Sequence, residues 1–277
     1  MSLTNKIINA VKSIYKRLKI NNELYYFDSF NDWDEALHAS RSFGDAYESE
    51  NIIKQVINAT ETVRRGEAVY EQDGVLYYED DHIYEFLAAL FYVLTEEDKV
   101  NICDFGGALG STYFRYRKIL PVERISWNIV EQKSFVDYGK ENINEIGYFY
   151  TVDEMIRDCG KIDAVLLLSV LPYLEEPLAI LADIFKHKPK YIIIDETVFN
   201  VSDDEDEHIV LQHVPSSIYK AVYPSRIFNR ASFINIFEGN GYKKVFEWVY
   251  PGGAIPTKKR FTVKDNIDRG FLFELNE

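Results

Sequence analysis

The sequence predicts an α/β protein with a doubly wound, mostly parallel sheet at its centre. From residue 100 onward, short apolar strands alternate with helical segments, which is typical of sheets built from strand–helix–strand units. The runs 164–168 and 191–194 are apolar throughout, as expected of strands that are covered on both faces. One strand ends in a glycine-rich turn, and the next strand ends in an acid. Together these features predict a ligand site at the carboxyl edge of the sheet.

The first part of the chain has mainly helical composition. Spaced apolar residues predict helices over 33–40, 50–65 and 83–95. Segment 66–80 has the pattern of a short hairpin, with Asp73-Gly74 supplying the turn. We therefore predict an N-terminal, mainly helical lobe over residues 1–95.

The rest of the chain, 96–277, forms the predicted sheet domain. Strands are expected over 100–105, 125–131, 147–152, 162–169 and 191–195. Helices are expected over 111–119, from 134, around 155–156, and over 178–187 and 230–239. The segments 243–250 and 269–275 are predicted to form a closing antiparallel pair. The total of seven strands defines one large sheet.

The most informative segment is ICDFGGALG at 102–110. An apolar strand ends in Asp104 and runs into a turn that contains Gly106, Gly107 and Gly110. Glycine lets a ligand approach the backbone, and the N-terminus of the following helix offers free N–H groups. The dinucleotide fingerprint requires G-x-G-x-x-G. The order here is D-x-G-x-A-x-G, which resembles the first motif of S-adenosylmethionine (SAM) methyltransferases.

The next strand, ISWNIVE at 125–131, ends in Glu131, 21 residues after Gly110. A carboxylate at this position lies beside the same crevice and can accept hydrogen bonds from a ribose diol. The alternatives are a glycine turn used only for packing and a surface carboxylate. We favour a SAM site whose residues in these segments are Asp104, Phe105, Gly106, Gly107, Gly110, Glu131 and Gln132.

Two further segments contribute predicted cofactor contacts. Asp153 follows the third strand of the sheet, where it either contacts the adenine amino group or caps a helix. Both interpretations stay open. The segment 169–177 follows the fourth strand, and its Ser169, Leu171 and Tyr173 either face the sulfonium and the acceptor or pack the loop.

An insertion at 200–228 follows the fifth strand, on the side expected to receive the acceptor. It contains His208 and His213, either of which could act as a general base with a pKa near neutrality. Tyr219 and Arg226 are the predicted orienting groups. Each histidine also has an ordinary structural interpretation.

Composition excludes several classes of function. The net charge of −14 argues against nucleic acid as a substrate, because phosphate binding needs a basic surface. The acidic run 203–207 lacks the spacing of a metal loop, so no metal is predicted. Cys103 and Cys159 also lack metal-type spacing, and we expect both to be reduced and buried in a cytoplasmic protein.

Residues 1–20 differ from the rest of the chain. They carry five basic residues and no acid, so the other 257 residues carry −19, and their apolar residues fall at helical spacing. This segment is either a helix that packs on the body or a peripheral contact with the anionic inner face of the membrane. We favour packing.

Longer segments of the chain resemble a family of bacterial SAM-dependent methyltransferases found among surface-polysaccharide and lipopolysaccharide biosynthesis proteins. These segments are 30–40, 66–73, 104–114, 127–139, 166–177 and 212–228. The resemblance implies a Rossmann-like, seven-stranded class I SAM methyltransferase sheet and suggests a sugar acceptor. The chain departs from the family pattern at Glu196, where the family has an arginine after the fifth-strand aspartate.

The expected function is therefore methyl transfer from SAM to an oxygen of a surface glycan or its precursor. Two alternatives stay open. One is a methyltransferase that acts on a small metabolite, and the other is a non-catalytic scaffold with the SAM fold. The expected partner is a glycan or small-molecule acceptor rather than a nucleic acid, and the sequence leaves the oligomeric state open.

Overall fold

A central sheet and a smaller second sheet organise the structure, a computed structural model that describes residues 24–43, 50–79, 83–215, 218, 221–249 and 266–276. The strands in these residues are β1 (Tyr25–Phe30), β2 (Tyr70–Gln72), β3 (Val75–Tyr77), β4 (Val100–Phe105), β5 (Ile125–Val130), β6 (Gly147–Phe149), β7 (Ala164–Leu168), β8 (Tyr191–Asn200), β9 (His208–Val214), β10 (Ala221–Ile227), β11 (Tyr242–Val249) and β12 (Asn266–Leu275). The α-helices are α1 (Trp33–Ser40), α2 (Glu50–Arg64), α3 (Tyr84–Glu96), α4 (Ser111–Tyr116), α5 (Lys133–Asn142), α6 (Val152–Cys159), α7 (Pro177–Lys186) and α8 (Arg230–Gly239).

The central sheet has seven strands in the order β11-β12-β8-β7-β4-β5-β6. Strands β4 to β8 pair in parallel, whereas β12 runs antiparallel to both of its neighbours, β8 and β11. This order, with one reversed strand, is that of the class I SAM methyltransferase fold. The structure therefore confirms the predicted fold class and the predicted closing pair.

Burial explains why the middle strands are apolar. Side chains of β7 and the facing part of β8 are at most 1 % exposed from Ala164 to Leu167 and from Ile192 to Ile194. One face of the sheet packs against α3. The other face packs against α7 and α8, where the rings of Phe237 and Phe273 stack with centroids 4.0 Å apart. Each fully buried side chain of this size contributes roughly 1.5–3 kcal/mol.

The hairpin predicted at Asp73-Gly74 is present as β2 and β3. Both turn residues have positive φ, 52° and 74°, as two-residue hairpin turns require. Gln55 of α2 donates hydrogen bonds to the carbonyl oxygens of Gly74 (3.4 Å) and Ile218 (2.9 Å). The hairpin is thus fastened both to α2 and to the connection between β9 and β10.

A three-stranded sheet of order β1-β9-β10 is the main departure from the predicted elements. The N-terminal region was expected to be mainly helical apart from the hairpin, yet β1 is a strand, and the 200–228 insertion forms the hairpin β9–β10. The local sequence pattern does not predict β1, because the strand is irregular. Asp28 has φ of 58°, and the register of the pairing with β9 shifts between Phe27 and Phe30. Its pairing partner lies far along the chain. The division at residue 95 itself stays a prediction.

The small sheet is held against the end of β8. The backbone N–H of Phe228, just after β10, donates to the carbonyl of Val198 (2.9 Å). In return, the N–H of Asn200 donates to the carbonyl of Phe228 (2.9 Å). These bonds place the small sheet over the carboxyl edge of the central sheet.

Some predictions concern other parts of the chain. Residues 1–20, with their predicted amphipathic helix, lie outside the described residues. Within the described ranges, no helix is long and apolar enough to cross a membrane.

Cys103 is buried as expected, but the expectation for Cys159 is wrong: it is exposed at the end of α6.

A network around Glu247 joins α8 to β11 and β12. Its carboxylate accepts hydrogen bonds of 2.6–2.7 Å from Arg230, Lys244 and Arg269. Burial would raise the pKa of Glu247, but the hydrogen bonds and charges of Arg230 and Lys244 outweigh it and lower the pKa to about 2.

We expect Glu247→Gln to lower the free energy of unfolding by roughly 1.5–3 kcal/mol at pH 7, the usual contribution of charged hydrogen bonds. The folded-state pKa of about 2 lies below the ordinary value of 4.5. The stabilisation is therefore fully present above pH 4.5 and is lost as pH falls toward 2. Urea unfolding of wild type and variant should show a difference that shrinks over this range. The control, Glu67→Gln, removes an exposed pair with Arg65 and should change nothing measurable. A constant difference between pH 7 and pH 3 would contradict the assignment.

Candidate functional site

A cavity of about 1120 Å³ opens at the carboxyl ends of β4, β5, β7 and β8. Its wall is completed by α1, the β2–β3 hairpin and the small sheet. Pockets for a single drug-sized ligand usually measure ~300–1,000 Å³. This cavity therefore has room for a donor and an acceptor together, at the edge where the sequence predicts the site.

The glycine turn forms the floor of the cavity beside β4. Gly106 has φ of +76°, and a Cβ there would lie 2.7 Å from Cγ2 of Val170. Its N–H donates to the carbonyl of Val130 at the end of β5 (2.9 Å). Ala108 also has positive φ, at 47°. The turn therefore follows a path that brings bare backbone against the cavity.

Asp104 supports this turn from below. The residue is 1 % exposed, and its carboxylate accepts a hydrogen bond from Nε1 of Trp127 (3.0 Å). A Cβ on Gly107 would lie 2.6 Å from the same carboxylate, so only glycine fits above it. Burial raises the pKa of Asp104 to about 7, the Trp127 hydrogen bond opposes the rise, and the charge of Glu131 adds to it. Asp104 shapes the turn rather than presenting itself to solvent.

Glu131 follows β5 and lies beside the turn, as the spacing predicts. Its Oε1 accepts from the backbone N–H of Gln132 (2.8 Å), and the Ala108 N–H also bonds to the carboxylate. Burial raises the pKa of Glu131, and these N–H bonds oppose the rise. The side chain is half-buried and lines the cavity. Its contact with a ribose stays a prediction.

The other predicted cofactor residues fall into two groups. Phe105, Gln132, Ser169 and Tyr173 line the cavity together with the turn. Gly110 lies behind the wall: it is buried, has φ of +97° and is the N-cap of α4. The prediction that Leu171 faces the ligand is wrong, because its side chain is 0 % exposed and packs within the apolar core.

Asp153 also falls outside the cavity wall. Its side chain is 76 % exposed and lies 3.3 Å from Nε2 of His187. The capping interpretation is wrong as well, because the hydroxyl of Thr151 accepts from the N–H of Glu154 and caps α6. Tyr150, just after β6, lines the cavity in its place.

The predicted histidine base needs correction. No histidine among the described residues lines the cavity. His213 stacks on the ring of Tyr25 with centroids 4.5 Å apart. Its neighbours along β9, Gln212 and Val214, line the cavity instead, because successive side chains of a strand point to opposite faces. His208, at the start of β9, is likewise absent from the wall.

The predicted orienting groups do not reach the cavity either. Tyr219 lies outside the described residues. Arg226 donates to the carbonyl oxygens of Leu174 (3.5 Å) and Glu175 (2.7 Å) and to the carboxylate of Glu207. Its guanidinium also lies over the ring of Trp33, 5.2 Å from the centroid. Arg226 thus ties β10 to the loop after β7 rather than facing an acceptor.

Carboxylates are the residues that sequence reasoning missed. The acidic side chains in the described wall are Glu71, Asp73, Asp104, Glu131, Glu175, Asp195, Glu196 and Asp268. From the same described residues, the cationic side chains are Arg41 and Arg115. Acidic side chains therefore outnumber cationic ones in the described wall, although burial raises the pKa of Glu71, Asp104 and Asp195 and so reduces their charge. Asp73-Gly74 is recognisable in the sequence as a turn, but no local signal places that turn over the strand ends.

The hairpin carboxylates connect the two halves of the cavity. Glu71 is 3 % exposed and accepts from the N–H of Gly74 (3.0 Å) and from the hydroxyl of Ser111, the first residue of α4. Burial raises the pKa of Glu71 to about 7, with the Ser111 and Gly74 hydrogen bonds opposing. Asp73 is surrounded by protein, which raises its pKa to about 6. The residue is nevertheless exposed to the solvent that enters the cavity.

The end of β8 supplies two adjacent carboxylates. Asp195 is 2 % exposed and accepts from Nε1 of Trp248 (3.0 Å). Burial raises the pKa of Asp195 well above its usual range, and the charge of Glu196 adds to the rise. Glu196 has φ of 48° and accepts from Nε2 of Gln72 (3.1 and 3.4 Å). Positive φ at a non-glycine residue stores strain. The Glu196 side chain lines the cavity.

Comparison with known proteins gives matches among solved structures. No family model and no curated protein matches the chain. The N-terminal domain of EvdMO1, solved in the presence of SAH and D-fucose, is 18% identical, with a TM-score of 0.47, and the match covers 78% of this chain and 97% of that one. The glycopeptide N-methyltransferase MtfA complexed with SAM is 8% identical, with a TM-score of 0.43 and coverage of 68% and 93%. A SAM-dependent methyltransferase from Clostridium acetobutylicum ATCC 824 is 10% identical, with a TM-score of 0.44 and coverage of 81% and 99%.

We expect Gly110→Ala to lower the free energy of unfolding by roughly 2–4 kcal/mol, from left-handed strain plus overpacking. A Cβ at this position would lie 2.4 Å from Cδ1 of Ile146. The matched control is Gly66→Ala, which has φ of +77° but no atom within 4 Å of the added Cβ. It should lose only about 1–2 kcal/mol. Equal losses in urea unfolding would show that the packing against Ile146 does not matter.

Proposed function

We propose that the protein is a SAM-dependent methyltransferase that transfers a methyl group to an oxygen of a sugar, in a surface glycan or its precursor. One observation carries the proposal. A single cavity is lined both by the glycine turn with Glu131 and by polar side chains of the β2–β3 hairpin, β8, β9 and β12. A group-transfer enzyme needs such an arrangement, because donor and acceptor must be bound side by side.

The donor half fits SAM. The backbone of Gly106 and Gly107 is open to a ligand, and Glu131 offers carboxylate oxygens to the ribose hydroxyls. SAM carries a sulfonium and an ammonium against one carboxylate, so its net charge is positive. The negative wall of the cavity complements that charge.

The transfer itself is an in-line displacement. A hydroxyl oxygen of the acceptor forms a bond to the methyl carbon while the bond from that carbon to the sulfonium sulfur breaks. The electron pair of the broken bond stays on sulfur, which leaves the neutral thioether S-adenosylhomocysteine (SAH). The hydroxyl proton passes to a base. The protein contributes mainly positioning and a base.

Asp73 is the base that the cavity offers best. Asp104 and Asp195 are already hydrogen-bonded to tryptophans, and Glu71 to Ser111 and Gly74. Glu131 belongs to the donor half. Asp73 is reached by solvent through the cavity, and no described side chain donates a hydrogen bond to it. A pKa of about 6 suits a base that works near neutral pH.

The assignment to a glycan rests on the sequence resemblance and on the polar acceptor wall. The rival enzyme would methylate a small metabolite in the same cavity, and the rival without turnover would bind SAM as a scaffold. Formation of SAH from SAM on incubation with bacterial glycan extracts supports the enzyme, and mass spectrometry of the methylated product identifies the acceptor. Contact of residues 1–20 with the membrane surface stays a prediction.

We expect Glu131→Ala to bind SAM about ten- to a hundredfold more weakly than wild type, because a charge-assisted contact contributes roughly 1.5–3 kcal/mol. Calorimetric titration measures both affinities. Glu123→Ala, an exposed glutamate outside the cavity, is the control and should leave the affinity unchanged. Equal affinities of wild type and Glu131→Ala would remove Glu131 from the site. Failure of wild type to bind SAM would overturn the cofactor assignment.

We expect Asp73→Asn to reduce turnover roughly 10²–10⁴-fold while SAM affinity is retained, since a lost general base has effects of this size. The base must be deprotonated to accept the proton. Wild-type turnover should therefore rise with pH through an apparent pKa near 6 and level off above it. SAH formation with the identified acceptor, measured between pH 5 and 8, tests both points. Full turnover by the variant would show that catalysis here is positional.

A further inference from the structure

The acceptor half of the cavity contains a buried amide at its wall. Gln212 of β9 is 2 % exposed and pairs in register with Tyr26 of β1 and Tyr223 of β10. Its side chain lines the cavity, and it forms a hydrogen bond with Tyr173. Gln212 is therefore held in place from several sides and borders the cavity.

Asp268 of β12 lines the same cavity as Tyr173. It pairs in register with Val198 of β8, is half-buried and lines the cavity. Burial is the main cause of the raised pKa of Tyr173, and the charges of Asp73 and Asp268 add to it, so both carboxylates act on this tyrosine. Gln212 and Asp268 thus both act on one tyrosine of the cavity wall.

Both side chains present an oxygen without a partner. Oε1 of Gln212 and Oδ1 of Asp268 are buried, and no described residue donates a hydrogen bond to either atom. Buried polar atoms in folded proteins are nearly always paired. Both atoms are hydrogen-bond acceptors, so the group that satisfies them must be a donor. Fully ionised phosphate and carboxylate groups have only acceptor oxygens and would not serve.

The charged side chains of the cavity wall indicate the chemistry of that donor group. Asp73 and Glu196 line the cavity together with Asp268. The cationic side chains of the described wall are Arg41, which is exposed, and Arg115, whose guanidinium lies over the ring of Tyr70, 4.0 Å from the centroid. No group of three or more described His, Cys, Asp and Glu side chains is arranged to hold a metal ion. The single net positive charge of SAM balances part of this acidic wall, and we expect a positive charge on the acceptor to balance the remainder.

We propose that the acceptor is an amino sugar whose ammonium group donates to the carboxylate of Asp268 and whose neighbouring hydroxyl donates to Gln212. The inference rests on the proposed function and adds the substrate class. An ammonium group has three donors and a positive charge, which the unpaired oxygen and the surrounding carboxylates require. The hydroxyl supplies the donor that the amide oxygen of Gln212 requires.

The test compares sugars that differ in one group. The protein is first saturated with SAH, and the dissociation constants of glucosamine, galactosamine and mannosamine are then measured by ligand-observed NMR at pH 7. Their neutral parents and the 6-phosphates of those parents are measured in the same way. At least one amino sugar should bind about tenfold or more tightly than its parent, and the phosphates should bind more weakly than the parents.

Two variants localise the effect. Asp268→Asn should abolish the preference for the amino sugar over its parent while leaving the affinity for the parent within twofold. Gln212→Ala should weaken amino sugar and parent alike, about three- to tenfold. Glu141→Gln removes an exposed carboxylate of α5, outside the cavity, and should leave the preference unchanged.

The wild-type comparison decides the proposal even if a variant does not fold. Equal binding of amino sugars and parents, tightest binding of a phosphate, or no binding of any amino sugar would overturn it while the donor site stands. A preference that survives in folded Asp268→Asn would equally overturn it. A protein that fails to bind SAH contradicts the proposed function itself, and this inference with it.

Discussion

The cavity depends first on the buried hydrogen bond between Asp104 and Trp127. The aspartate ends β4, and the indole comes from β5, so the bond fixes the carboxyl ends of these neighbouring strands relative to one another. The same carboxylate fills the space under Gly107, which determines the path of the glycine turn. Glu131 then lies beside the turn because it follows β5 directly. A second bond of the same kind, between Trp248 and Asp195, fixes the end of β8.

The acceptor half depends on the length of β8. This strand continues past the edge of the parallel sheet to Asn200, where it binds the backbone of Phe228 and so holds the three-stranded sheet over the cavity. The β2–β3 hairpin closes another side, and Gln55 fastens it to the connection between β9 and β10. Elements from distant parts of the chain thus enclose one space.

Electrostatics gives that space its character. Burial raises the pKa of the most enclosed carboxylates in the wall. For Asp104 and Glu71 the pKa is raised to about 7, so these side chains are only partly charged near neutral pH. Those that are most deeply buried have tryptophan or hydroxyl donors and act as structural supports. Those that remain available, Asp73 and Asp268, lie on the acceptor side. The acidic residues therefore have two roles: some shape the cavity, and others can contact a ligand.

The sequence by itself determined the central sheet, the closing antiparallel pair, the glycine turn and the position of Glu131. These features follow from local periodicity and short spacing, since neighbouring parallel strands end at the same edge. Only the tertiary structure decided the acceptor side. Strand β1 pairs with a strand far along the chain, and the alternation of side chains along β9 turns Gln212 inward and His213 outward. The composition of β9 does not indicate which of two adjacent side chains faces the cavity, because that depends on which surface the small sheet packs against.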